Sequence, residues 1–374
     1  MQQVLVAVSH LAGDEFLRTT ARYVRCDRKT VSNCLDRVFT ALEKLKPKYV
    51  RLPTAAEEEA SAAEIKRLYN LEKVAYGIDC VHMVFNHRPH KILGENQHAD
   101  QFYNRKGRFS LNVQVIADGF QLIRDIDVKY PGSVHDSRIW TNSMARIHMP
   151  GRQYFLAADA GYALSDSVLK RYDEPANPAQ RLFNYRLCQA CVKMTECLYG
   201  MWKPRFPVLT NMRFCHLNAM RAVVATAVLM NFWMMERLSL EFPPIERLPN
   251  VLVVDERPAE QASQAGVNTR NDYVSRMVGP QTRRERRVWN GEAPWLSSHH
   301  LYTLFPVSPS SQLHLPINRS RLSLSLLNVY LPLHNFTFTS YLHLSLQIQV
   351  KLILTPGVTW PRTKQSIALV FAIK

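Results

Sequence analysis

An α/β fold with a helical block in front of it is what this sequence predicts, and three observations carry that expectation. Residues 1–48 place apolar side chains at helical spacing, with Leu5, Val8 and Leu11 on one face of a first segment. From Val74 the pattern changes to strands at 74–85, 109–117 and 120–128, followed by a helix-like stretch at 134–148 and a fourth strand at 153–158. Three antiparallel strands, a helix and a further strand form an order in which the first and fourth strands lie side by side. A long apolar helix over 216–240 has the composition of a helix packed on a sheet.

Each element has its own local justification. After the first helical segment, which Gly13 interrupts, a second runs from Phe16 to Val24, and Arg25-Cys26 makes a tight connection. Asp27 is placed to cap the next helix, Arg28 to Val38. Two short helices joined by a tight turn suit a helix-turn-helix over residues 1–50. Arg28, Lys29, Thr30, Ser32 and Asn33 would then face phosphates and base edges; a plain three-helix bundle with a basic solvated face is the equal alternative. Pro47, Pro53 and Glu57 to Glu59 set off a linker helix within 51–73. The α/β domain spans 74–242, with Asp118-Gly119 as a two-residue hairpin signal and a helix expected over 181–201. Beyond 243 the chain reads as a poorly ordered basic tail. It includes the cluster Arg283-Arg284-Glu285-Arg286-Arg287, a nuclear-import segment, a phosphate patch or a solvated run, and has no acidic residue after Glu292.

Composition narrows the partners. The net charge of +16 and pI near 9.6 favour a polyanion, nucleic acid before an acidic membrane surface. Seven cysteines, an odd number, do not form a disulfide framework. Cys188-x-x-Cys191 lacks a second ligand pair at zinc-finger spacing, so these thiols are expected to be structural. The opening residues lack a secretory leader pattern, and the apolar run 222–235 is too short to cross a bilayer. No membrane partner is therefore expected.

Four acids stand out: Asp79 at the end of an apolar run, Asp136 in Pro-Gly-Ser-Val-His-Asp-Ser, Asp159 at the end of the fourth strand, and Glu196 on a helix. They are 57, 23 and 37 residues apart, so only a fold can bring them together. Hard cations such as Mg²⁺ or Mn²⁺ prefer such oxygen donors, and a pair of them can drive phosphodiester chemistry. Singly, the plainer reading is the better one: Asp136 as a first-turn acid, Asp159 as a turn residue and Glu196 as a solvated helix acid. Tyr199, Gly200 and Lys203 share a helix face with Glu196, and Lys203 and Arg205 are candidates to grip a nucleic-acid backbone. His82 and His135 are expected to position neighbours by hydrogen bonding.

These motifs resemble the DDE endonuclease domain of PIF/Harbinger transposases and of the Harbinger transposase-derived nucleases of animals. An I-D-G-T-H motif is matched by Ile78 to His82, and N-R-K-G by Asn104 to Gly107. P-G-S-x-H-D-S-x-x-W is complete from Pro131 to Trp140, and G-D-x-G-Y corresponds to Ala158 to Tyr162. E-x-x-F-G-x-x-K-x-R-F corresponds to Glu196 through Phe206. The resemblance covers about residues 3–240. It implies an RNase H-like DDE nuclease domain, a mixed sheet flanked by helices, with Asp79, Asp159 and Glu196 as catalytic acids and Asp136 as a further metal ligand. It also implies Mg²⁺ or Mn²⁺ as cofactor, DNA contacts that would include Arg105 and Lys106, a Myb-like DNA-binding partner protein, and a nuclear location, with the cytoplasm also open. Cys80 and Val81 stand where the family carries Gly and Thr. Val192 replaces the usual Arg before the Glu, and Tyr199 the usual Phe. Those departures leave a catalytically silent, DNA- or partner-binding protein as the alternative to a metal-dependent endonuclease.

Overall fold

The computed structural model describes residues 2–92, 98–148, 153–238 and 261–292, together with 348–349 and 372–373. The chain divides into two compact units, residues 1–308 and 309–374.

Three helices open the first unit: α1 (Gln2–Leu11), α2 (Leu17–Tyr23) and α3 (Arg28–Tyr49). Arg25, in the left-handed region at φ 52°, makes the turn before α3. Asp27 caps α3, accepting from the Thr30 backbone N–H at 2.8 Å and from its hydroxyl at 2.6 Å. α3 was expected to end near Val38 but runs to Tyr49, because Phe39 and Leu42 extend the apolar stripe begun by Val31, Cys34, Leu35 and Val38. α4 (Ala55–Tyr69) starts on a Thr54–Glu57 capping box and stops at Asn70, which is left-handed.

A five-stranded mixed sheet follows, in the order β3-β2-β1-β4-β5. β1 (Val74–Val84) pairs antiparallel with β2 (Ser110–Asp118), and β2 with β3 (Ile123–Pro131). On its other side β1 pairs in parallel with β4 (Phe155–Ala158), as the element order implied, and β4 with β5 (Val168–Lys170). The β2–β3 connection is four residues, 119–122, instead of a two-residue turn. Asp118 organises it by accepting from the Phe120 and Leu122 N–H groups, both at 2.9 Å. Gly119 is needed there, since a Cβ would lie 2.9 Å from the Ser61 carbonyl oxygen on α4.

Helices cover both faces of the sheet. The single helix expected over 134–148 is two, α5 (Asp136–Thr141) and α6 (Met144–His148). Ser143 separates them: its hydroxyl donates to the Trp140 carbonyl at 2.9 Å and accepts the Arg146 N–H. On the opposite face lie α7 (Pro178–Cys191), a π-helical turn (Val192–Glu196) and α8 (Cys197–Arg205), where one continuous helix was expected. At this turn the Thr195 hydroxyl takes the Cys191 carbonyl at 2.8 Å, competing with the regular ladder. α9 (His216–Leu238) packs against α3 and β3. Its buried Asn231 donates to the Tyr49 carbonyl (2.6 Å) and the Ile123 carbonyl (2.7 Å) and accepts the Ile123 N–H (2.8 Å). Although α9 is long and apolar enough to cross a membrane by length and composition, 67% of that stretch is buried, as in a core helix.

Residues 261–292 correct the expectation of a disordered tail from 243. They carry α10 (Gln264–Arg276), capped by Ser263, and α11 (Arg283–Trp289), which begins on a Thr282–Glu285 capping box. Both pack on α7. Their anchors lie about a hundred residues upstream, Arg186 on Glu285 at 2.7 Å and Tyr172 on Asn271 at 2.7 Å, so no local pattern announces them. In the second unit β6 (Ile348–Gln349) pairs antiparallel with β7 (Ala372–Ile373). The remainder of the expected tail lies outside the described residues.

Candidate active site

Side-chain alternation decides which face of the sheet receives the acids. On β4, Leu156 and Ala158 pack with Trp140 of α5, whereas Ala157 packs with Phe183 and Leu187 of α7. Asp159, two residues after Ala157, continues toward α7. On β1, Tyr76 and Ile78 join the Trp140 side, which directs Gly77 and Asp79 to the α7 side. Ile78 pairs with Ala158 in the parallel register, so Asp79 and Asp159 emerge side by side.

Glu196 reaches them through the π turn. A Cβ on Gly77 would lie 2.8 Å from the Met194 Cβ and 3.1 Å from the Thr195 Cγ2. The bare glycine thus lets the turn settle directly on β1, one residue from Glu196 and two from Asp79. Single π-helical turns recur at functional sites. Asp79, Asp159 and Glu196 line one cavity of about 60 Å³, together with Arg171, Leu187, Cys188, Cys191, Val192 and Thr195. That is room for a small ion with about one water.

Asp136 is the fourth acid, and it sits elsewhere. It begins α5 on the Trp140 face, accepts from the Asn112 amide at 2.9 Å, and lies against Gly161, whose Cβ would stand 3.4 Å from its Oδ2. It does not line the cavity, yet it is near enough to act on Asp79. Burial pushes the Asp79 carboxyl well above its ordinary range, and repulsion from Asp159, Asp136 and Glu196 adds to this, against a 2.8 Å bond from the Cys80 N–H. Asp159 accepts from the Ala160 N–H at 2.5 Å, with the Arg171 guanidinium 4.0 Å away.

Fit to a cation rests on the donor set: three carboxylates on one cavity, one of them raised by burial and, further, by its neighbours' negative charge. Among the described residues, no three His, Cys, Asp or Glu side chains stand close enough to enclose an ion as they are. Mg²⁺ does not require such a cage, since it is held through one or two carboxylates while water and substrate phosphate complete its shell. The oxygen donors of Asp79, Asp159 and Glu196 therefore suit a hard cation. Cys188, pushed up to about 12 by burial, and Cys191, also pushed up by burial, stay neutral thiols. They were expected to be structural; they also form part of the cavity wall.

Glu196, Tyr199 and Lys203 share a helix face, and β1 is what that face meets. The Tyr199 hydroxyl donates to the Asp79 carbonyl at 3.1 Å, and the Lys203 ammonium to the His82 carbonyl at 3.0 Å. Burial, with Lys106 nearby, lowers Lys203 to about 8. Arg105 and Lys106 are exposed on a turn built by the buried Asn104, whose Oδ1 accepts from the Lys106 and Arg108 N–H groups at 2.9 and 3.2 Å. Gly107 closes that turn at φ +73°. His82 bonds to Ser110 at 3.0 Å and His135 to Ser137 at 3.0 Å, both positioning contacts. Arg205 is drawn away: its guanidinium stacks on Trp233 at 3.4 Å, and burial lowers it to about 10. In the N-terminal helices Arg28, Lys29, Ser32 and Asn33 are exposed on one side of α3, while Thr30, also exposed, uses its N–H and hydroxyl on the Asp27 cap.

Arg171 was missed from sequence. It follows β5, a strand of three residues too short to show a period, and lines the cavity beside Val192. Lys193 does not stand in for the absent arginine at 192; its ammonium reaches Gln121 at 3.2 Å instead.

Residues 78–231 match a family model described as DDE superfamily endonuclease. The Homo sapiens protein named "Putative nuclease HARBI1" is 23% identical over 186 residues, covering 49% of this chain and 51% of that protein. Its Rattus norvegicus and Mus musculus counterparts are 23% and 24% identical, each over 190 residues. The chain spans about half the length of the curated relatives it matches. No solved structure matches.

Proposed function

Starting from the kinship of residues 78–231 with DDE superfamily endonucleases, and of the chain with the Harbinger transposase-derived family, we propose that this protein is a divalent-metal-dependent DNA endonuclease. One observation carries the proposal: Asp79 and Asp159, at neighbouring positions of parallel strands, share a single cavity with Glu196. The strand order, with β1, β4 and β5 parallel and β2 reversed, supports an RNase H-like reading of the sheet. Asp79, Asp159 and Glu196 would hold Mg²⁺ or Mn²⁺, and Asp136 would contribute charge from the other side of β1. When bound, the metal supplies an activated water or 3′-hydroxyl nucleophile and charge for the leaving phosphodiester oxygen.

The chain's own residues do the rest. Gly77 and Tyr199 fix Glu196 over Asp79, and Lys203 fastens α8 to β1. Arg105, Lys106 and Lys203 lie near His82, where they would neutralise backbone phosphates flanking the scissile bond. Arg171 holds a positive charge at the cavity wall, where Val192 offers none. The exposed side of α3, with Arg28, Lys29, Ser32 and Asn33, would act as the helix-turn-helix contact to duplex DNA. Thr30 would serve it as a cap, and Arg205 through its stack on Trp233. A Myb-like DNA-binding partner and a nuclear location belong to the same proposal.

The test is Mg²⁺- or Mn²⁺-dependent nicking of duplex DNA by the full chain. Asp79→Asn and Glu196→Gln should each abolish it, and activity unchanged in both would sink the assigned roles. A second reading, a silent DNA- or partner-binding protein, is favoured by Val192 on the cavity wall and by Lys193 turned to Gln121. Titration with Mn²⁺ separates the two: saturable binding lost in Asp79→Asn supports the nuclease, and no binding to the wild type supports the silent protein.

A further inference from the structure

The basic cluster at 283–287 is explained neither by the cavity nor by the helix-turn-helix. At about 100° per residue, α11 directs Arg283, Arg284, Arg286 and Arg287 over an outward arc of about 160°, and Glu285, Val288 and Trp289 over the inward one. The burial pattern agrees: all four arginines are exposed, while Glu285 and Val288 are buried. The docking is firm. Arg186, fully buried, donates to Glu285 at 2.7 Å and to the Val278 and Gly279 carbonyls at 2.7 and 2.9 Å. Arg181 donates to the Trp289 carbonyl at 2.7 Å, closing the far end of α11. Val288 packs with Leu182 and Tyr185 of α7.

The four differ in what α11 gains from them: Arg284 lies over the Tyr185 ring at 5.8 Å, and Arg286 and Arg287 sit in the last turn, where the helix dipole favours cations. Arg283 and Arg284 lie in the first turn, where the helix dipole disfavours cations, and Arg283 repels both Arg286 and Arg287 at i+3 and i+4. A single-sign, exposed surface held rigidly on α7 is matched to an anion outside the molecule. An import receptor reading the segment in extended form would have to unwind α11 and strip Glu285 from Arg186. The backbone of duplex DNA asks for no such change.

We propose that the outward face of α11 is a phosphate-backbone contact surface for duplex DNA, separate from the cavity. Its placement on α7 makes it separate: Leu182 and Tyr185 face α11, while Leu187, Cys188 and Cys191 line the cavity on the other side of the same helix. The four arginines span about 6 Å of helix axis, enough for about two phosphates of one strand. The proposal rests on DNA being the partner, but not on catalysis.

The experiment compares the full chain with a variant carrying Arg283→Gln, Arg284→Gln, Arg286→Gln and Arg287→Gln, which keeps Glu285 and Val288. Duplex affinity is measured by fluorescence anisotropy from about 50 to 200 mM NaCl. The log–log salt slope should become shallower by about 2, with Mn²⁺ binding unchanged. Lysine at the same four positions should restore the slope. An unchanged slope, a wild type without duplex affinity, or no rescue by lysine would overturn the proposal. A wild type that nicks DNA while the slope stays unchanged removes the patch and leaves the nuclease; a changed slope without Mn²⁺ binding does the reverse.

Discussion

Two groups of carboxylates lie on the same sheet, and their surroundings are opposite. At the β2–β3 connection Asp118 is fully buried and meets the guanidinium of Arg124 at 2.6 Å, with Glu57 3.5 Å from the same group. Burial works against the Glu57 charge, yet Arg51 and Arg124 hold its carboxyl below the usual range. Around the cavity Asp79, Asp159 and Glu196 face one another, and Arg171 comes no closer than 4.0 Å to Asp159. The first group is complete within the protein. The second gathers three carboxylates on one cavity with a single guanidinium, Arg171, on its wall, the pattern expected of a functional site.

Removing a member of the complete group should have the largest effect on stability. Asp118→Ala leaves Arg124 buried without its closest partner and frees the Phe120 and Leu122 N–H groups. A loss of about 3–5 kcal/mol is expected, read as a shift of the urea midpoint at constant slope. A change under about 1 kcal/mol would mean that the pair adds nothing to the fold, and the contrast with the cavity would fail.

Gly77 tests whether the second group is built by close approach. Gly77→Ala sets a methyl against Met194 and Thr195 and should lift the π turn from β1. A cost of about 1–3 kcal/mol is expected, together with loss of Mn²⁺ affinity, because Glu196 moves with the turn. Mn²⁺ titration of the folded variant checks it. Binding at wild-type strength would mean that Glu196 does not need this contact.

Much of this contrast was legible in the sequence. Asp79 and Asp159 each end an apolar run, and element order alone suggested that those strands are neighbours. Asp136 was legible as a motif but not as a position, since nothing local shows that α5 covers the opposite face from α7. The π turn was hidden because Val192 to Glu196 keeps ordinary helical composition, while its seat on Gly77 and the Thr195 bond to the Cys191 carbonyl show only in the fold. Arg171 escaped because β5 is three residues long. α10 and α11 escaped because Arg186 and Glu285, 99 residues apart, pair only after folding. Local pattern specified elements, while long-range polar pairs and close approaches decided where they meet.

The smallest effect is the most discriminating one, since its sign differs between the two groups. In the absence of divalent cation, Asp79→Asn replaces a carboxyl whose ionisation burial and three neighbouring acids oppose, and it should stabilise the protein by about 0.5–2 kcal/mol near neutral pH. Its pH dependence follows from linkage. Because the folded-state value of Asp79 is raised, the native protein binds the extra proton, and the associated stability is full below the ordinary value near 3.8 and lost as pH rises through the folded-state value. Asp79→Asn should flatten that decline in unfolding free energy measured at stepped pH. Added Mn²⁺ should reverse the order of stabilities, because binding to the native state stabilises the wild type and hardly the variant. An Asp79→Asn variant that is destabilised without metal, as Asp118→Ala is expected to be, would place Asp79 among the acids the fold already satisfies.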